Sequence, residues 1–345
     1  MISRVADHCF WFGRYVERTE STARVLAVTR ALALDGELTP RQAWAPVVIV
    51  SGQDAEFQAE HGEEGLGDGE LVQRYLARDM DSTVSIVRSV AAARENARSI
   101  REVIAQEVWE VINELHLWLR SSAADGDWAN HRHGFYRRVR NSSQLLLGLL
   151  RSTMLHDTPL DFIWLGMLLE RTGQTARLLD VHHHALTQLA PASPALQTQS
   201  QSMTGSAPTH RVVETALWLS LLRACSGFEP FMKRYQGRVA DGAVAAFLIL
   251  ESRFPRSIRY CVRSAYDRLC AIRPPADAHL PGGRSLEALH ALDAWVDAVT
   301  PQDLTTRGIH AVLTHVVDEV SSVCDKIGSE LLGYGRAPTA DPVNQ

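Results

Sequence analysis

Residues 11–28 read WFGRYVERTESTARVLAV and residues 164–181 read WLGMLLERTGQTARLLDV. Ten of these eighteen positions agree at an offset of 153: Trp11/Trp164, Gly13/Gly166, Glu17/Glu170, Arg18/Arg171, Thr19/Thr172, Thr22/Thr175, Ala23/Ala176, Arg24/Arg177, Leu26/Leu179 and Val28/Val181. Two amphipathic helices share apolar residues whenever both face a core, but that gives them no reason to share polar ones. Here Glu, Arg, Thr, Thr and Arg recur in register, as they would if they met the same partners in both places. The simplest account is duplication of one helical unit.

The spacing within the stretch is helical. Val5, Cys9, Phe12, Val16, Ala23 and Leu26 follow one another in steps of three and four, with Thr19 filling the gap, which is one face of an amphipathic helix. Trp11, Arg18 and Thr22 fall on one line of that helix; Gly13, Glu17, Glu20 and Arg24 fall on a neighbouring one. A mid-helix glycine costs about 1 kcal/mol relative to alanine. Its recurrence predicts that another backbone or side chain comes close there.

Outward from this stretch, Asp35-Gly36 is expected to end the first helix, and a second is expected over 41–59. Loops are expected at 61–70 and 125–134. The stretch 82–121 carries a buried face of Ile86, Val90, Ala97, Ile104, Val108, Val111 and Leu115. Unbroken it would be about 60 Å long, so a kink or break is expected. Further helices are expected at 136–155, from Thr158-Pro159 through the second motif, and at 211–226, 229–250, 256–272, 286–299 and 304–332. Residues 190–209 are rich in Pro, Ser, Gln and Thr and read as a connector. Asp81 to Val84 echoes Pro255 to Ile258 at an offset of 174, the extra residues matching that connector in size. No period-two run suggests a sheet. The expectation is an all-α helical bundle of two diverged tandem copies, 1–156 and 157–345, packed as one body.

Bulk properties exclude several classes. Hydrophobic residues make up 46% and charged residues 22% of the 345, so a large core can form without disulfide or metal staples. A net charge of −5 gives no general pull toward nucleic acid or anionic lipid. The five cysteines are scattered, with no CxxC pair, and read as reduced, mostly buried thiols. Arg4, Asp7 and Arg14 interrupt any signal-peptide core, and the run 243–250 is too short to span a bilayer. No nucleic-acid or membrane partner is expected, and the cytoplasm is the expected location.

The candidates for chemistry are polar clusters. Glu17-Arg18 and Glu170-Arg171, with Arg24 and Arg177, are either ion pairs buried between helices or a carboxylate–guanidinium frame for an anionic substrate or acid chain end. Arg94, Glu95, Asn96 and Arg98, followed by Glu107, Glu110 and Asn113, form a polar face that could be solvated or could line a cleft. Trp128, Phe135, Tyr136, Arg137 and Arg138 combine aromatic and basic residues, as a partner surface would. His182-His183-His184 cannot converge on one ion, because consecutive helical residues splay by about 100°. There is no nucleophile with a readable base, no phosphate loop and no dinucleotide fingerprint. No metal or cofactor is expected, and nothing makes a positive case for an enzyme.

The opening Ser3-Arg4-Val5-Ala6-Asp7 with Trp11 to Arg18, the stretch Ala93-Arg94-Glu95-Asn96-Ala97-Arg98 with Glu107-Val108-Trp109-Glu110 and Asn113, and Phe254-Pro255-Arg256-Ser257-Ile258 together resemble the bacterial alpha-E family, an all-helical domain with a Glu-Arg motif. Met80-Asp81 departs from the Asn-Pro common in that family. The resemblance implies the company of circularly permuted ATP-grasp proteins and of transglutaminase-like peptidases. It therefore suggests a non-catalytic partner or substrate-presenting module of a peptide- or amide-bond-forming system. The alternatives are an enzyme acting on a peptide-like or amino-acid substrate through a Glu/Arg/Asn cleft, and a pure scaffold.

Overall fold

The structure, a computed structural model, describes residues 3–34, 38–189, 206–236 and 241–334. These form sixteen α-helices and no strand. The first eight are α1 (Ser3–Leu34), α2 (Pro40–Ser51), α3 (Asp54–His61), α4 (Gly69–Ala77), α5 (Ile86–Ser99), α6 (Gln106–Leu119), α7 (Ser122–Asn130) and α8 (Arg132–Ser152). The second eight are α9 (Thr158–Leu189), α10 (Ser206–Ala224), α11 (Phe228–Tyr235), α12 (Asp241–Leu250), α13 (Ile258–Ile272), α14 (Gly283–Ala298), α15 (Pro301–Thr306) and α16 (Ile309–Ile327), the last running into a π-helical turn, Gly328–Leu332.

Local chemistry starts these helices. Thr39 and Gln42 form a capping box with Pro40 at the first helical position, and Thr300 and Asp303 repeat the device ahead of Pro301. Asp68 caps α4 by accepting from Glu70 N and Leu71 N. Ser85 and Ser257 cap α5 and α13 by accepting from Arg88 N and Tyr260 N. Each such cap is worth about 1 kcal/mol.

The expected break in 82–121 falls between α5 and α6. Buried Ile100 and Ile104 pin that turn into the core, so the chain reverses and α6 packs on α5. Three other expectations are corrected. The region 125–134 is helical, because Ser121 caps α7 through Ala124 N and Arg132 already begins α8. The Gly/Glu-rich stretch before residue 70 runs into α4, whose buried Val72, Tyr75 and Leu76 drive it. The segment 41–59 is split at Gly52, which sits at φ 73° and closes α2. The expected Asp35-Gly36 stop and most of the 190–209 connector lie outside the described residues; α10 has begun by Ser206.

The packing order is regular. Helices α1, α5, α6 and α8 each touch the next, and α8 returns to α1; α9, α13, α14 and α16 do the same. Helices α2 and α10 each lie against both α1 and α9, while α7 packs on α8 and α15 on α12 and α16. Helices α5 and α13 begin with the same device, the caps lying 172 residues apart. Ser85 Oγ donates to Asp79 O and Ser257 Oγ to Glu251 O, each six residues back.

Among the described residues the α1–α9 contact is the most extensive, and it joins the two sets. Each of these helices is covered on nearly every side. A helix in that position must satisfy its polar side chains internally, which is the origin of the site below.

Candidate functional site

Helices α1 and α9 cross where each carries a glycine. A Cβ on Gly13 would sit 2.0 Å from the Ile163 carbonyl oxygen, and one on Gly166 would sit 2.1 Å from the Phe10 carbonyl oxygen. The backbones therefore touch, as the recurring glycine predicts. The contact is reciprocal, since Phe10 and Ile163 are themselves separated by 153 residues.

One turn further along, this crossing sets the Glu-Arg motifs against each other. Arg18 donates from Nε and Nη2 to Glu170 Oε1 and Oε2, at 2.8 and 3.2 Å. Arg171 donates from Nε and Nη2 to Glu17 Oε1 and Oε2, at 2.9 and 2.6 Å. These are fork-to-fork pairs, the strongest form of the interaction. Each carboxylate has a second arginine: Arg14 Nε at 2.8 Å for Glu170, and Arg256 Nη1 at 2.9 Å for Glu17. Arg256 Nη2 also reaches Glu20 Oε2 at 2.8 Å, and Glu20 pairs with Arg24 in its own helix. Arg171 Nη1 binds Pro255 O at 3.1 Å and Thr175 Oγ1 binds Arg256 O at 3.2 Å, tying the turn before α13 to α9.

Glu17 and Glu170 are 0% and 2% exposed. Burial pushes the Glu17 carboxyl up, but Arg171 and Arg256 outweigh it and hold it at about 2. Burial likewise opposes ionisation of Glu170, and Arg18 with Arg14 overcomes it, leaving that carboxyl well below the usual carboxylate range. Groups so firmly ionised make poor proton shuttles near neutral pH. Burial and then the neighbouring Arg256 and Arg140 work against the charge on Arg24.

The sequence candidates Glu17, Arg18, Arg24, Glu170, Arg171 and Arg177 are thus brought to the same two helices. Arg14, Glu20 and Arg256 complete the arrangement and were not singled out as site residues. Arg14 and Arg256 were visible within the family-like stretches, but pairing across 239 residues, as in Arg256–Glu17, leaves no local trace. A cleft of about 250 Å³ opens beside the cluster, with Arg14, Arg18, Glu170 and Arg177 on its polar side and Val47 and Leu76 among its apolar walls.

The remaining candidates lie elsewhere. Arg94 Nε donates to Asn113 Oδ1 at 2.8 Å, and Glu95 accepts from Arg94 and Arg98, both at 2.7 Å. Asn96 meets His8 Nδ1 at 2.8 Å. Glu110 accepts from Gln106 at 2.9 Å, and Glu107 is exposed. This is a network on the surface of α5 and α6, and none of its members lines the cleft beside the Glu-Arg pairs. The proposed aromatic partner surface is corrected: Phe135 and Tyr136 are core residues at 0% exposure, with Trp118 and Trp128 packed edgewise or tilted against Phe135. Trp128 is half-buried under the Arg132 guanidinium, 3.6 Å from the ring centre. Arg137 and Arg138 are exposed beside His131 and His133 along a shallow basic groove.

Among the described residues no group of three His, Cys, Asp or Glu side chains is placed to hold a metal ion, and no helix is long and apolar enough to cross a membrane. Cys9, Cys225 and Cys261 are buried free thiols, each pushed up to about 12 by burial.

An all-helical body whose central helices are cross-linked by Glu-Arg pairs defines the class. Residues 1–332 match the family described as a predicted alpha-helical domain with a conserved ER motif, Alpha-E, and the chain belongs to that family. It is also similar to uncharacterised proteins of Mycobacterium bovis and Mycobacterium tuberculosis, at 23% identity over 282 residues. That match covers 74% of this chain but only 28% of each relative. No solved structure matches the chain.

Proposed function

We propose that this chain is a non-catalytic helical partner of a circularly permuted ATP-grasp protein in a peptide- or amide-bond-forming system. It would dock that ligase or present its substrate. The observation carrying the reading is the reciprocal locking of Glu17 by Arg171 and of Glu170 by Arg18. The motif that gives the family its name is spent on holding α1 to α9, and its carboxylates are not poised as acid or base. The mycobacterial relatives, of whose length the match covers less than a third, support a module that works alongside other polypeptide.

The same geometry supports an origin by duplication, with the boundary at 156/157 falling between α8 and α9. The reciprocal glycine contacts, the reciprocal ion pairs and the matching rings α1, α5, α6, α8 and α9, α13, α14, α16 are what two copies meeting at their first helices would produce.

Arg137 and Arg138 supply the exposed basic surface for docking. The test is co-purification with the neighbouring ATP-grasp protein, repeated with Arg137→Glu and Arg138→Glu combined. The expected result is a complex at micromolar concentration that the double variant weakens while keeping its own melting temperature. Absence of association, or turnover of a peptide-like substrate by the purified chain alone, would replace this reading with the enzyme alternative.

A further inference from the structure

The two Glu-Arg clusters differ in one way that their matching geometry makes visible. On the Glu17 side, hydrogen bonds and ion pairs join Arg24, Arg171 and Arg256 to two carboxylates, Glu17 and Glu20, with Arg140 also close to Arg24 and Arg256. On the Glu170 side, Arg14, Arg18 and Arg177 gather around one carboxylate. At the 153-residue offset Glu20 corresponds to Gly173, and Arg24 to Arg177. At the 172-residue offset set by the helix caps, Arg256 corresponds to Val84. Where the Glu17 side has the Arg256–Glu20 ion pair, the Glu170 side has Val84 and Gly173, neither of which carries a charge.

Val84, Arg14, Arg18 and Arg177 all line the cleft beside the Glu170 cluster. Arg177 donates from Nε to Val50 O at 3.2 Å, and among the described residues neither of its Nη atoms has a hydrogen-bond acceptor. Its guanidinium lies against Gly173, where a Cβ would be 3.4 Å from Nη1. In the other cluster the corresponding Arg24 pairs with Glu20, four residues back in the same helix. Burial, offset by Glu170 and reinforced by Arg18 and Arg14, lowers the pKa of Arg177. Val47, Val84 and Leu76 add apolar surface to the same cleft. The volume of about 250 Å³ is a little below the range that holds drug-sized ligands.

We propose that this cleft is a binding site for a small monocarboxylate with an aliphatic substituent, such as the C-terminal end of a peptide or an N-acylated amino acid. The ligand carboxylate takes the place that the Glu20 carboxylate fills in the other cluster and receives a paired hydrogen bond from Arg177. Its aliphatic part lies on the valines and Leu76. The inference stands on the cleft alone. It is measured on the isolated chain, so it can fail while the partner reading survives, and the reverse.

The probe is N-acetyl-L-valine, titrated calorimetrically against the purified chain, with N-acetyl-L-valinamide and inorganic phosphate as comparisons. The acid is expected to bind at millimolar or lower concentration, the neutral amide at least tenfold more weakly, and phosphate more weakly than the acid because it leaves the apolar wall empty. Arg177→Leu should weaken the acid at least tenfold. Gly173→Glu should supply the missing carboxylate internally, abolish binding and keep or raise the melting temperature. Equal binding of acid and amide would overturn the proposal, as would phosphate binding as well as the acid, or unchanged acid binding by Gly173→Glu. The wild-type comparison of acid with amide decides the matter even if a variant fails to fold.

Discussion

Removing Arg171 tests whether the Glu-Arg motif is a structural lock. Arg171→Ala deletes both hydrogen bonds from the Arg171 fork to Glu17 and the bond to Pro255 O. Glu17 stays buried, with Arg256 as its remaining cation. Breaking a buried pair from one side typically costs about 3–5 kcal/mol, and the surviving Arg256 contact places this case near the lower end. The combined effect of Arg171 and Arg256 on Glu17 sets an upper scale. Depression of the Glu17 pKa from 4.5 to about 2 corresponds to about 3 kcal/mol favouring the ionised, paired form. With an unfolding entropy of about 2.1 cal/mol/K per residue, a loss of about 3 kcal/mol lowers the melting temperature of a chain this long by about 4 °C. Differential scanning calorimetry and urea titration measure it, and Arg137→Ala, at an exposed position, serves as the control. A shift within the control's error would refute the lock. Unchanged stability with lost binding or activity would assign the motif to function instead.

The same carboxylate sets a pH dependence. Its folded pKa is lowered, so its contribution is fully present above about 4.5 and is lost as pH falls toward about 2; urea midpoints should drop across that window, and less steeply in Glu17→Gln. Gly13→Ala drives a methyl into the Ile163 carbonyl and should cost at least about 1–3 kcal/mol. Gly148→Ala in α8 meets nothing within 4 Å and should be neutral or stabilising by up to about 1 kcal/mol; equal melting temperatures for the two variants would contradict the backbone contact between α1 and α9. Phe135→Ala should destabilise by about 3–5 kcal/mol by thermal melt, whereas a partner-surface residue would leave stability unchanged.

The sequence by itself determined the helical class, the course of the long helices and the recurrence of Gly, Glu and Arg in register, because helix periodicity and close-packing glycines leave marks within a few residues of each other. It did not reveal that Phe135 and Tyr136 point inward, since an aromatic residue beside arginines reads alike on a surface and at a core edge until the neighbouring helices are placed. Helix α7 and the start of α4 were hidden for a related reason: short segments of Gly, Asp and Glu have weak intrinsic preference, and tertiary burial of Ala124, Val72 and Leu76 decides them. Most of all, only the tertiary structure decided which carboxylate meets which guanidinium. Glu17 draws its partners from 154 and 239 residues away. That choice follows from the backbone crossing at Gly13 and Gly166, and it leaves Arg177 lining a cleft with Val84.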